Sequence, residues 1–152
     1  MKIIVLRHTD KLDPPSDGLK PEGIERAKLL ARMLADSGLT VAFCSEFKRT
    51  AQTLKPLKER LGPTLSVRPV AIDGPGGADA HVQDIVAAVK SLAADTGVII
   101  VTHSNTVDRI IENLGGGTVK PLEETEFDKL FILFANPPGA AGLVKLNYGP
   151  QT

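Results

Sequence analysis

The chain reads as an α/β fold, a three-layer α/β/α sandwich built on a mostly parallel central sheet. Three observations predict it. Short apolar runs rich in β-branched residues occur at 3–6 (IIVL), 41–44 (VAFC) and 98–102 (VIIVT), the continuous pattern of strands buried on both faces. Between them, apolar residues recur at helical spacing, and strand–helix alternation is the pattern of parallel β-α units. Finally, each of the three runs is followed at once by polar residues: Arg7-His8, then Ser45 to Arg49, then His103-Ser104. Parallel strands present their carboxyl ends at one edge of the sheet, where ligands bind in open α/β folds.

Composition sets the limits. At 152 residues with 42% hydrophobic content, the chain suits a single domain, 1–152, with one real core. Lys+Arg and Asp+Glu balance at 18 each, so net charge gives no argument for a nucleic-acid or membrane partner. Any anion site must then be a local concentration of charge. A lone cysteine, Cys44, forms no intramolecular disulfide and fits a reducing compartment. No apolar run approaches the roughly 20 residues that span a bilayer, and the first residues follow a strand pattern rather than that of a signal peptide. A cytoplasmic location is expected.

Taken in order, the first strand gives way to a loop over 11–20, marked by Pro14, Pro15 and Gly18. Pro21 and Glu22 suit a helix's first turn, Ile24, Ala27, Leu30, Ala31 and Leu34 keep its spacing, and Gly38 stops it. The strand at 41–44 leads through Ser45–Arg49 into a helix carrying Ala51, Leu54 and Leu61, with a kink or break expected near Pro56. A third strand is expected over 65–72, interrupted by Pro69, and 73–80 (DGPGGADA) reads as loop. Val82, Ile85, Val86, Val89 and Leu92 make an amphipathic helix ending near Gly97. After the strand at 98–102, Val107, Ile110, Ile111 and Leu114 form a helical face stopped by the glycines at 115–117. Final strands are expected at 130–135 and 143–147, with a Pro/Gly turn at 136–142.

If the three polar-ended strands are neighbours, Arg7, His8, Arg49, His103 and Ser104 converge in one cleft, with helix N-termini behind Arg49 and Ser104 adding N–H donors. Such a concentration of positive charge and donors suits a dianion such as a phosphoryl group.

The motifs at these positions resemble those of the histidine phosphatase (phosphoglycerate-mutase-like) superfamily. Leu6-Arg7-His8-Thr9 is similar to its R-H-G/R-H-T signature. Asp17-Gly18-Leu19 with Gly23 and Ala27 resembles a later segment, although a charged Glu25-Arg26 precedes Ala27. Residues 45–53 (SEFKRTAQT) are similar to its S-x-x-x-R-A-x-Q-T block, and 101–105 (VTHSN) to the block with its second histidine. The blocks appear in family order, and residues 126–130 look like the late strand of short single-domain members, which include phosphohistidine phosphatases.

The resemblance implies a phosphoglycerate-mutase-like fold and a phosphatase with no metal and no cofactor. His8 would attack phosphorus and carry the phosphoryl group, with its attacking nitrogen unprotonated, as a reference pKa of about 6.5 allows. Arg7 and Arg49 would clamp the phosphoryl oxygens. His103, expected to be cationic, and the Ser104 backbone N–H at the following helix start would add donors. The substrate would be a phosphorylated small molecule or phosphoprotein. Larger members take a general acid from between the two histidine blocks. Asp73, Asp79 and Asp84 are the carboxylates of the Gly-rich loop and its flank, with Asp73 favoured at a strand end and Asp84 expected to be solvated. The alternative is that no acid is present, which suits a phosphoramidate or acyl phosphate with its better leaving group. The short connections leave little material for a water-excluding lid, which disfavours a mutase. A non-catalytic phospho-ligand-binding domain is the other class of function.

Other signals carry less. Cys44 and Arg49 lack the C-x5-R spacing of cysteine phosphatases, Thr50 standing where the arginine is needed. A metal site from His8, His81 and His103 rests on count alone, and His81 is expected at a helix start or on the surface. Asp13 and Asp17 read as solvated loop charges.

Overall fold

The structure, a computed structural model, describes residues 1–135 and 141–152. Six strands form one sheet: β1 (Lys2–Arg7), β2 (Leu39–Cys44), β3 (Ser66–Pro69), β4 (Gly97–Thr102), β5 (Lys129–Ala135) and β6 (Ala141–Asn147), in the order β3-β2-β4-β1-β5-β6. β3, β2, β4 and β1 run parallel, while β5 and β6 complete the sheet as antiparallel neighbours. The helices are α1 (Pro21–Leu34), α2 (Lys48–Leu61), α3 (Gly77–Lys90) and α4 (Val107–Asn113). No helix among the described residues is long and apolar enough to cross a membrane. Much of the turn expected at 136–142 lies outside the described residues.

Alternate residues of the central strands feed two cores, because successive side chains of a strand point to opposite faces. Ile3, Val5, Phe43, Val98 and Ile100 pack with Val82, Ile85 and Val89 of α3 and Ile110 and Ile111 of α4. Ile4, Leu6, Ala42, Ile99 and Val101 pack with Leu30 of α1 and Leu54 and Leu57 of α2. Helices therefore cover both faces, and the strands buried between them are the runs with no polar alternation.

The main departures from expectation are in α2, β3 and α3. α2 runs unbroken through Pro56, because Leu54 and Leu57, buried on either side of it, hold the helix to the sheet; the proline forgoes one helical hydrogen bond without ending the helix. β3 is only four residues long. Beyond Pro69, the Glu46 carboxylate accepts the N–H groups of Ile72 and Asp73 at 3.0–3.2 Å, which draws the chain away from the strand direction. α3 begins at Gly77, so part of the expected loop at 73–80 is helical, and it ends at Lys90, leaving Leu92 outside it.

Candidate active site

β4 lies between β1 and β2, all three parallel, so the polar residues after these strands meet at one edge of the sheet. They line a cleft of about 440 Å³, with Arg7, His8, Arg49, His103, Ser104, Asp73 and Glu124 on its walls. Its floor is deeply set: Arg7 and His8 are 2% exposed, His103 7% and Ser104 8%.

His8 is held from three sides. Its backbone N–H donates to the Thr102 carbonyl at 2.9 Å, tying the end of β1 to β4. Its Nδ1 lies 2.9 Å from the carbonyl oxygen of Thr9. A carbonyl only accepts, so Nδ1 carries the ring proton and Nε2 keeps the lone pair. Arg49 Nε donates to that Nε2 at 3.3 Å. Thr9 is anchored in turn: its N–H donates to Thr53 Oγ1 at 3.0 Å and its hydroxyl to the Gly23 carbonyl at 2.8 Å. Gly23 is needed there, since a Cβ at that position would stand 2.2 Å from the Asp10 carbonyl oxygen. Burial, with help from Arg7, His103 and Arg49, pushes the His8 pKa down to about 2 and keeps the imidazole neutral.

The arginines are positioned by different means. Arg7 Nη1 donates to the carbonyls of Glu123, Glu124 and Glu126 at 2.7–3.3 Å, and its guanidinium stacks 4.1 Å from the Phe127 ring centre. Its buried Nε has no partner among the described residues. Arg49 follows the first residue of α2; its Nη1 pairs with Asp17 at 2.5 Å, and its guanidinium lies 4.3 Å from the Phe47 ring centre. Asp17 also accepts the Lys48 N–H at 2.6 Å, capping α2. Burial works upward on the Asp17 carboxyl and is outweighed by the Lys48 N–H and Arg49, which hold it below the usual range. Asp17 is thus a structural partner of Arg49 rather than a free loop charge, whereas Asp13 is exposed as expected.

His103 joins Ser45 through Nε2 and Oγ at 2.8 Å, and its ring centre lies 5.3 Å from that of His8. Burial, then Arg49, His81 and Arg7, push its pKa down to about 4. His103 is therefore neutral beside these cations alone, against the expectation of an imidazolium; a dianion placed between them would work in the opposite direction. Ser104 sits in a turn ahead of α4, which starts at Val107, so its N–H does not belong to that helix's first turn. Its hydroxyl donates to Glu124 Oε1 at 2.7 Å.

Two carboxylates line the cleft. Asp73 is exposed, and Glu124, with its side chain 79% exposed, reaches Arg7 Nη2 at 3.4 Å through Oε2. The Ser104 hydrogen bond foremost, and then Arg7, hold Glu124 below the usual carboxylate range. Asp79 pairs instead with Arg109 at 2.5 Å, and Asp84 is exposed. Glu124 lies beyond the span between the histidine blocks and escapes a search confined to it, while the roles of Ser45 and the Thr9 carbonyl rest on contacts rather than on motif spacing.

His81 is fully buried, not on the surface. Its Nδ1 meets the Val70 carbonyl at 3.0 Å and its Nε2 the Thr102 hydroxyl at 2.8 Å. Cys44 is buried, and burial raises its thiol pKa, the reverse of a reactive thiolate. Among the described residues no group of three or more His, Cys, Asp or Glu is placed to hold a metal ion.

Residues 6–73 match the model of the histidine phosphatase superfamily (branch 1). The match covers less than half of the chain and makes that stretch similar to the superfamily. Solved structures share the whole fold. The protein histidine phosphatase SixA complexed with tungstate matches with a TM-score of 0.73 at 20% identity, over 97% of this chain and 97% of that one. The alpha-ribazole phosphatase from Shigella flexneri matches with a TM-score of 0.72 at 17% identity, over 97% and 96%. A mycobacterial glucosyl-3-phosphoglycerate phosphatase with VO3 gives 0.64 at 15% identity, over 95% and 96%. At such identities these likenesses speak for the fold, which is phosphoglycerate-mutase-like. No curated protein sequence matches the chain.

Proposed function

We propose that this chain, as a single domain, is a phosphatase hydrolysing a phosphomonoester or phosphoramidate through a covalent phosphohistidine on His8, with no metal required. The observation that carries this reading is the state of His8. Its proton is committed to the Thr9 carbonyl, burial keeps it neutral, and Nε2 faces Arg49 in a cleft of cations. That is what a nitrogen nucleophile needs before a dianion. Arg7, Arg49, His103 and Ser104 bind the phosphoryl oxygens. The buried, unpartnered Arg7 Nε fits such a ligand, because an unmet buried donor costs about 1–3 kcal/mol and a phosphoryl oxygen satisfies it.

In the first step Nε2 attacks phosphorus and the leaving group departs opposite it; in the second, water displaces the imidazole. The relatives' names span a protein histidine phosphatase and phosphatases of small molecules, so a phosphoprotein and a phosphorylated small molecule are both candidate substrates.

The test is phosphate release from p-nitrophenyl phosphate and from a phosphoramidate, by wild type and His8→Ala. Turnover of either compound, lost in the variant, is expected. Phosphate binding without turnover of either would overturn the reading in favour of a phospho-ligand-binding domain.

A further inference from the structure

The nucleophile lies at the floor of the cleft, and in-line displacement sends the leaving oxygen away from it, toward the mouth. A group that protonates that oxygen must therefore stand at the mouth. The carboxylates lining the cleft are Asp73 and Glu124. They differ in what they touch. Asp73 is attached to the site through its backbone, whose N–H is held by Glu46. The Glu124 carboxylate contacts two groups of the phosphoryl pocket itself, accepting from Ser104 Oγ at 2.7 Å and approaching Arg7 Nη2 at 3.4 Å. Its backbone is held as well, since its carbonyl accepts from Arg7 Nη1 at 2.7 Å.

From this arrangement we propose that Glu124, which follows the second histidine block, is the general acid and base of the reaction. The inference rests on the phosphatase reading above. Its logic is a shared set of donors. A phosphoryl dianion that takes up Arg7 and Ser104 withdraws the contacts that keep Glu124 ionised and places two negative charges beside it. Like charges at one site raise the affinity of one of them for a proton. Glu124 is therefore protonated by the arrival of its own substrate, next to the bond that breaks.

The proton balance closes over two steps. The Nε2–P bond forms as the P–O bond breaks, and the Glu124 carboxyl proton passes to the leaving oxygen, while His8 Nδ1 keeps its proton on Thr9. Water then attacks phosphorus, Glu124 takes a proton from it, the P–N bond breaks, and Nε2 regains its lone pair. The products are the alcohol and phosphate, with Glu124 again protonated until phosphate leaves.

The experiment compares wild type, Glu124→Gln and Asp73→Asn on p-nitrophenyl phosphate and on phenyl phosphate, whose leaving group is much poorer. General acid catalysis contributes about 100-fold or more and matters most for poor leaving groups. Glu124→Gln is expected to lower kcat on phenyl phosphate about 100-fold and on p-nitrophenyl phosphate about 10-fold or less, and to remove the alkaline limb of the pH profile. Equal losses on both esters would overturn the acid role, because a binding or positioning defect does not depend on the leaving group. The leaving-group dependence appearing in Asp73→Asn instead would overturn it in favour of Asp73. Wild type that turns over neither ester would overturn this inference, and the phosphatase reading with it only if the phosphoramidate is left intact as well. Glu124 is exposed, so Glu124→Gln is expected to fold as wild type.

Discussion

The floor and the mouth of the cleft are built differently. On the floor, nearly every functional atom is held by the chain's own backbone or by a neighbouring side chain: His8 by Thr9, Arg7 by three carbonyls, His103 by Ser45. These three residues are 2–7% exposed. At the mouth, Asp73 and Glu124 are exposed, and Glu124 touches Ser104 and Arg7, the donors proposed for the phosphoryl group. The contrast separates two tasks. Binding charge and aiming a nucleophile require donors that do not reorganise when charge develops. Moving a proton requires a group whose ionisation follows the occupancy of the site.

The largest expected effect on this contrast is at the nucleophile. His8→Ala should lower kcat by at least about a thousandfold, since a unit of acting residues fails when its nucleophile is removed; steady-state phosphate release measures it. Residual activity within tenfold of wild type would place the chemistry away from the floor. Next is the clamp. Arg49→Ala should cost about 100-fold in kcat/KM, and Arg49→Lys should recover little of it, because a lysine replaces neither the contact to Nε2 nor the stack on Phe47.

A smaller effect tests the positioning itself. Ser45→Ala removes the partner of His103 Nε2 and should lower kcat about tenfold with little change in KM; a raised KM with kcat unchanged would mean that Ser45 serves binding only.

The smallest effect is on stability. His8 and His103 have folded pKa values of about 2 and about 4, below the unfolded value of about 6.5. The unfolded chain therefore binds more protons than the native one between pH 6.5 and these values. The stability is complete above pH 6.5 and falls as the pH drops, by up to about 1.4 kcal/mol per pH unit for each histidine. Urea unfolding from pH 7 to pH 5 should show this slope, and His8→Asn should reduce it. An unchanged slope would mean that His8 is not buried in its neutral form.

What the sequence revealed follows the same division. Arg7-His8, Ser45 to Arg49 and His103-Ser104 are local patterns at strand ends, and parallel pairing alone brings them together. The apolar runs of β1, β2 and β4 were legible because strands buried on both faces leave no polar alternation. Contacts between distant residues were not legible. Ser45 and His103 are 58 residues apart, Ser104 and Glu124 20, and Asp17 and Arg49 32. His81 lies inward rather than on the surface because its helix begins earlier than the Gly-rich stretch suggests, which turns the imidazole onto Val70 and Thr102. The local cost of Pro56 predicts a kink, whereas packing of Leu54 and Leu57 keeps the helix unbroken.

The most direct test of the account is to mix the protein with a labelled phosphorylated substrate, quench within one turnover in base, and locate the label by peptide mapping. The account predicts a base-stable, acid-labile phosphoryl group on the His8 imidazole at Nε2. Label found on any other residue, or rapid turnover with no label on the protein at any quench time, would contradict it.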